Sequence, residues 1–220
     1  MYELLIFDWD GTLIDSEGRI VSSMQAAAVD VGVTVPEYGA VRNIIGLGLP
    51  EAICALFEQA QADAGLLNQL RERYAHHFLH EDPTQVHLFP QVRETLMRLH
   101  QGGYRLAVAT GKSRKGLDRA LRDTELGELF EITRCADETC SKPDPHMLDE
   151  IIWMTDVARE HSLMIGDTEY DLEMGQRAGI ATVAVSYGAH EVERLQRWSP
   201  LRLIDQFVEL EQWLQGLSRS

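Results

Sequence analysis

At 220 residues, 45% hydrophobic and 25% charged, the chain is long enough to bury one sizeable core, alone or with a small insert. Its 35 acidic residues against 20 basic ones leave a formal charge of −15. That balance works against nonspecific binding to nucleic acid or anionic membrane, since both reward clustered Lys and Arg. Cys54, Cys135 and Cys140 cannot all pair within one chain and none falls in a CxxC spacing, so reduced thiols and a cytoplasmic setting are expected. The N-terminus has no basic segment followed by an apolar stretch, and no run approaches bilayer length, so neither a signal peptide nor a membrane span is expected.

In chain order, residues 3–7 form the first strand-length apolar run, broken by the carboxylates of Asp8 and Asp10. From Ser16 to about Gln85 only helical patterns occur: Ile20–Val31, Pro50–Gln61 and Leu66–Leu79, punctuated by Gly32, Gly46-Leu47-Gly48 and Gly65. So long a stretch without a strand exceeds ordinary loops and predicts an inserted helical subdomain. Strand and helix then alternate. Strands are expected at Tyr104–Ala109, Phe130–Thr133, Ser162–Ile165 and Ala181–Val185, and helices at Val92–His100, Lys115–Arg122, His146–Met154, Leu172–Ala178 and Gln206–Leu214. Nearly continuous apolar strands covered on both faces imply a mainly parallel sheet, hence a doubly wound, Rossmann-like α/β core.

Ligands of open α/β sheets bind beyond the carboxyl ends of the strands. The residues there are Asp8 and Asp10, Thr110-Gly111-Lys112 and Gly166-Asp167, with Lys142 a little farther past its strand. Asp8 and Asp10, two apart on extended chain, point to one side, and Asp167 with Asp171 brings carboxylates from another strand end. A hard divalent cation such as Mg²⁺ suits such a set. The Lys142 charge, the Thr110 hydroxyl and close-approaching amides at Gly111 suit a phosphate. Pro143 biases Lys142 towards extended backbone, and Asp144 is placed to cap a helix starting at Pro145. Two lookalikes fail. Gly111-Lys112-Ser113 lacks the P-loop glycine, having Leu106 there, and Gly46-Leu47-Gly48 has Glu51 where a dinucleotide fingerprint needs its third glycine.

Asp8-Trp9-Asp10-Gly11-Thr12, Thr110, Lys142-Pro143-Asp144-Pro145 and Gly166-Asp167 with Asp171 resemble, in order, the four motifs of the haloacid dehalogenase-like hydrolase superfamily. The insert resembles the helical cap of its phosphoglycolate phosphatase and β-phosphoglucomutase branch. The resemblance implies an α/β catalytic core of residues 1–15 and 86–220 and a helical cap of residues 16–85. It implies that Asp8 is a nucleophile forming an aspartyl-phosphate, and that Asp10 is the acid that protonates the leaving oxygen and the base that activates water. Asp8, Asp167 and the Asp10 carbonyl would ligate Mg²⁺, with Asp171 supporting the site or holding Lys142. Thr110, Gly111 and Lys142 would bind the transferring phosphoryl group. Asp10 also favours phosphoryl-ester chemistry over dehalogenation, because dehalogenases of the superfamily typically lack it. Relatives commonly carry asparagine where this chain has Gly111, so a side-chain hydrogen bond is missing.

The resulting expectation is a Mg²⁺-dependent phosphatase acting on a small phosphorylated metabolite of phosphoglycolate type, as a monomer or homodimer. The alternatives are a sugar phosphomutase and a noncatalytic binding protein on the same fold. Trp9, Trp153, Trp198 and Trp213 are expected to pack, and the His76, His77 and His80 group to lie on a solvated helix face. Arg19, Arg42 and Asn43 are within reach of a cleft between insert and core.

Overall fold

The computed structural model describes residues 1–217. Six parallel strands form one sheet: β1 (Leu4–Phe7), β4 (Arg105–Thr110), β5 (Ile132–Cys135), β6 (Ser162–Gly166), β7 (Ala181–Val185) and β8 (Arg202–Ile204). Their order is β5-β4-β1-β6-β7-β8, so β1 lies between β4 and β6. Alternate side chains of β1 enter different cores. Leu5 and Phe7 meet α6 (Val92–Gln101), α7 (Arg114–Thr124) and α11 (Val208–Leu217), whereas Leu4 and Ile6 meet α8 (His146–Thr155) and α9 (Glu169–Arg177). Helices on both faces explain why these strands read as unbroken apolar runs.

Between β2 (Ile14–Asp15) and β3 (His87–Leu88) the chain is helical: α1 (Glu17–Val31), α2 (Tyr38–Arg42), α3 (Leu49–Leu56), α4 (Glu58–Ala62) and α5 (Ala64–His76), followed by a π-helical turn at His77–Glu81. Ile20, Met24, Ile45, Ile53 and Leu70 form a core of their own in this insert. β2 and β3 pair antiparallel, a two-stranded ribbon at the insert's base that is too short to leave a sequence pattern. The expected Pro50–Gln61 helix is broken at Phe57, whose extended backbone (φ −129°) divides α3 from α4. α2, α10 (Val192–Gln196) and β8 are also additional to the sequence reading, each being shorter than the window over which its period would show.

Two local expectations need correction. Helix α8 begins at His146 and not at Pro145; Asp144 accepts from the His146 amide at 2.9 Å, and the Lys142–Pro143 peptide is cis. Trp153 does not pack: it is 81% exposed on α8, whereas Trp9 is buried edge-on to Phe130. Of the histidine group on the insert, His76 and His80 are open to solvent and His77 is largely covered. His76 pairs with Glu81, and His77 with Asp30 and Glu81. No helix among the described residues is long and apolar enough to cross a membrane.

Candidate active site

The ends of β1, β4 and β6 bring Asp8, Thr110 and Asp167 to one edge of the sheet, with all three side chains buried. The parallel register places Phe7 opposite both Val108 and Ile165, so the chain leaves β1 directly between the two other strand ends. Lys142 reaches the same point from the loop after β5. Its Nζ lies 2.7 Å from Asp8 Oδ1 and 2.6 Å from Asp171 Oδ1, wholly out of solvent. Burial opposes the lysine charge, but the Asp171 and Asp8 carboxylates outweigh it and push its pKa up.

Asp171 owes its position to the start of α9. Thr168 and Asp171 form a reciprocal capping box: Thr168 Oγ1 accepts from the Asp171 amide at 3.4 Å, and Asp171 Oδ2 accepts from the Thr168 amide at 3.0 Å. The other oxygen of Asp171 is thereby left for Lys142. Asp167 is fixed by the Thr12 hydroxyl and the Ala189 amide, each at 2.8 Å. The turn that carries Thr12 needs Gly11 (φ +83°), and a Cβ there would collide with the Asp167 carboxylate.

The three carboxylates of Asp8, Asp167 and Asp171 stand close enough to share one ion. Their environment is short of positive charge. Burial, followed by Asp171, raises the Asp167 pKa to about 7, and burial also raises Asp8 well above its ordinary range despite Lys142. Lys142 meets Asp8 Oδ1 as an ion pair, while the buried Asp8 Oδ2 has no partner of its own among the described residues. A buried carboxylate oxygen without a donor fits a hard cation, for which oxygen ligands are the preferred donors. The Asp10 carboxylate stands outside this group.

Asp10 instead faces a cleft of about 120 Å³ whose lining also includes Asp8, Thr110 and Gly111. Lys112 Nζ lies 2.8 Å from each Asp10 oxygen, and Ser16 donates to Oδ1 at 2.6 Å. Lys112 also stands 4.8 Å from the centre of the Phe78 ring, so it joins core to insert. Sequence reasoning placed Lys112 at the strand edge but gave it no role, and it missed Ser16 and Ala189. A cation just past a strand end was the available signal for Lys112; nothing local marks the other two.

Gly111 has a structural reason. A Cβ there would lie 2.5 Å from the Leu47 carbonyl oxygen and 2.6 Å from that of Gly46, so the insert's glycine turn occupies the space an asparagine would need. The same turn meets the core again where the Gly48 amide donates to Ser141 Oγ at 2.7 Å. Arg42 and Asn43 join insert to core without lining the cleft: Arg42 donates to the Gly188 carbonyl at 3.1 Å, and the Asn43 carbonyl accepts from Tyr170 at 3.0 Å. Arg19 lines a neighbouring cleft and spends its Nε on the Thr84 carbonyl at 2.7 Å.

Residues 5–185 match the model of the haloacid dehalogenase-like hydrolase family. The chain belongs to the haloacid dehalogenase-like hydrolases. It is 33% identical over 215 residues to the "Probable phosphatase IndB" of Dickeya dadantii, covering 96% of this chain and 92% of that one. It is 31% identical over 215 residues to a phosphoglycolate phosphatase of Aliivibrio fischeri, covering 94% of both. Among solved structures, one described as a haloacid dehalogenase-like hydrolase from Bacteroides fragilis superposes with a TM-score of 0.88 at 27% identity, over 96% of this chain and 100% of the other. This member of the haloacid dehalogenase-like hydrolases is therefore an enzyme of phosphatase-like type, with the family's parallel sheet and flanking helices.

Proposed function

We propose that this hydrolase is a Mg²⁺-dependent phosphatase that cleaves a small-metabolite phosphate monoester, of the phosphoglycolate-like kind, through an aspartyl-phosphate. The observation that carries this reading is Asp8: a buried carboxylate on the floor of a cleft, paired through one oxygen with Lys142 and grouped with Asp167 and Asp171 beside Thr110. Asp8, Asp167 and Asp171, or the Asp10 carbonyl in place of Asp171, would hold the ion. Bound there, Mg²⁺ would supply positive charge that offsets the carboxylates and the phosphate.

In this reading an Asp8 oxygen attacks phosphorus as the ester P–O bond breaks, and the leaving oxygen takes its proton from the Asp10 carboxyl. Water then attacks the phosphorus of the aspartyl-phosphate and gives a proton to Asp10, which frees Asp8 and inorganic phosphate. The Thr110 hydroxyl and Gly111 amide orient the phosphoryl oxygens, and the Lys142 charge stabilises them. Residues 16–85 act as the cap that excludes water and meets the leaving group. Residues 1–15 and 86–220 form the catalytic core, of which 218–220 lie outside the described residues. Three unpaired cysteines support a cytoplasmic location.

Asp8→Asn tests the assignment with a generic phosphate ester and Mg²⁺. It keeps the side-chain shape and removes the nucleophile, so turnover should fall by at least about a thousandfold. Undiminished turnover would overturn the assignment.

A further inference from the structure

The cleft over Asp8 has a floor and walls of opposite character. Asp8, Asp10 and Thr110 form the floor, while the insert contributes Ile20, Met24, Ile45, Leu49, Tyr74 and Phe78 to the walls. None of the insert residues lining this cleft is charged. The cation at its edge, Lys112, is already held by both oxygens of Asp10. Arg19 and Arg119 line only the neighbouring cleft, where Asp8 does not reach; Arg119 there donates to the Leu79 carbonyl at 2.6 Å.

A second anionic group on the substrate would therefore lie against hydrocarbon and close to two carboxylates, with no partner for its charge. Such burial is strongly unfavourable. Close-packed interiors leave few voids larger than a water molecule, so an apolar space opening onto a nucleophile is shaped for something. Its volume of about 120 Å³ approaches the roughly 150 Å³ apolar cavity that is known to accept benzene. One polar feature interrupts the walls. The Tyr74 ring stacks on Phe78 at 5.7 Å, and its hydroxyl has no hydrogen-bond partner among the described residues.

We propose that the substrate is a phosphate monoester with a compact, uncharged and mainly apolar leaving group of about ring size, carrying at most a few polar atoms of which one meets Tyr74. This rests on the phosphatase reading above and replaces its phosphoglycolate-like leaving group with an uncharged one. Esters bearing a carboxylate, and sugar bisphosphates, are poor fits to these walls.

The test is kcat/KM of the Mg²⁺-loaded wild-type enzyme for unbranched alkyl phosphates of increasing length, benzyl phosphate and 2-phosphoglycolate. Alkyl phosphates keep the reacting oxygen nearly constant, so the series reads burial of the chain. The expected gain is about fourfold per methylene until the cleft is full, with benzyl phosphate at least about a hundredfold better than 2-phosphoglycolate. Leu49→Lys should flatten the series and narrow that gap; the wild-type series stands without it. A flat series, or 2-phosphoglycolate as the best substrate, overturns the proposal. Calorimetry with alkylphosphonates, which cannot turn over, separates the two levels. Affinity that rises with chain length in a protein that hydrolyses none of the esters would sustain the apolar cleft and sink the phosphatase reading.

Discussion

Lys112 holds Asp10 by both carboxylate oxygens, at 2.8 Å each, while standing over the Phe78 ring of the insert. The side chain proposed to move protons is thus oriented by a cation that also touches the opposite wall of the cleft. Lys112→Met should lower kcat about tenfold with little change in KM, because it misplaces Asp10 without touching the phosphoryl pocket. Asp10→Asn should cost about 10²–10⁴ in kcat, the usual worth of general acid–base catalysis. If Lys112 acts through Asp10, the double variant will be no slower than Asp10→Asn alone; additive losses in steady-state kinetics would show an independent role.

Metal addition should be visible without any substrate. A cation that binds only the folded chain stabilises it by about 2.7 kcal/mol at a hundredfold excess over Kd. For a chain of this length that corresponds to roughly 5–10 °C in Tm. Thermal unfolding with and without Mg²⁺ should show this shift in the wild type and lose it in Asp167→Asn, and EDTA should abolish turnover. An equal shift in both proteins would remove Asp167 from the ion's ligands.

Gly111→Asn tests the packing of the insert's glycine turn on the core. The added side chain must displace the Gly46 and Leu47 carbonyls, now 2.6 and 2.5 Å from where its Cβ would lie. Overpacking of this kind costs about 1–3 kcal/mol, and the displaced turn should lower kcat/KM as well. Gly39→Ala is the control: it lies in α2 with nothing within 4 Å and should be neutral or slightly stabilising in urea denaturation.

His190 gives the fold a pH dependence of known sign. Its Nδ1 accepts from the Glu169 amide at 3.0 Å, and its Nε2 faces the Asn43 carbonyl at 3.2 Å, which assigns the neutral tautomer with the proton on Nε2. Burial, and then the Arg194 charge, pull its pKa below the usual 6.5. The unfolded chain therefore takes up this proton first as pH falls. Stability from His190 is complete above about pH 6.5 and is lost as pH drops towards the folded pKa, with a slope of at most about 1.4 kcal/mol per pH unit. Urea titrations between pH 7 and 5 should show a shallower decline in His190→Gln than in the wild type.

Much of the scaffold was legible in the sequence, and for a definite reason. The strands flanking the site are covered on both faces, so Leu106-Ala107-Val108-Ala109 and Leu163-Met164-Ile165 stand out as apolar runs that end at the site residues. Short or half-buried elements left no such trace. The β2–β3 ribbon is a pairing of two-residue strands across the whole insert, and α2 holds a single buried side chain. Trp153 misleads in the other direction, since its residue type favours burial but its helix face points to solvent.

The candidate site divides along the same line. Residue chemistry at strand ends was enough to bring out Asp8, Asp10, Thr110, Lys142, Asp167 and Asp171, because parallel topology delivers all those ends to one edge. Partners across long separations were decided by the tertiary structure alone: Lys112 on Asp10, Ala189 on Asp167, and the Gly46–Leu47 turn over Gly111. So was the apolar character of the cleft walls, which come from separate helices of the insert. A sequence carries the chemistry of each group and the local period of its segment. Which groups share a space depends on how the helices and loops pack, and that packing turned a row of acidic and basic residues into a charged floor beneath hydrocarbon walls.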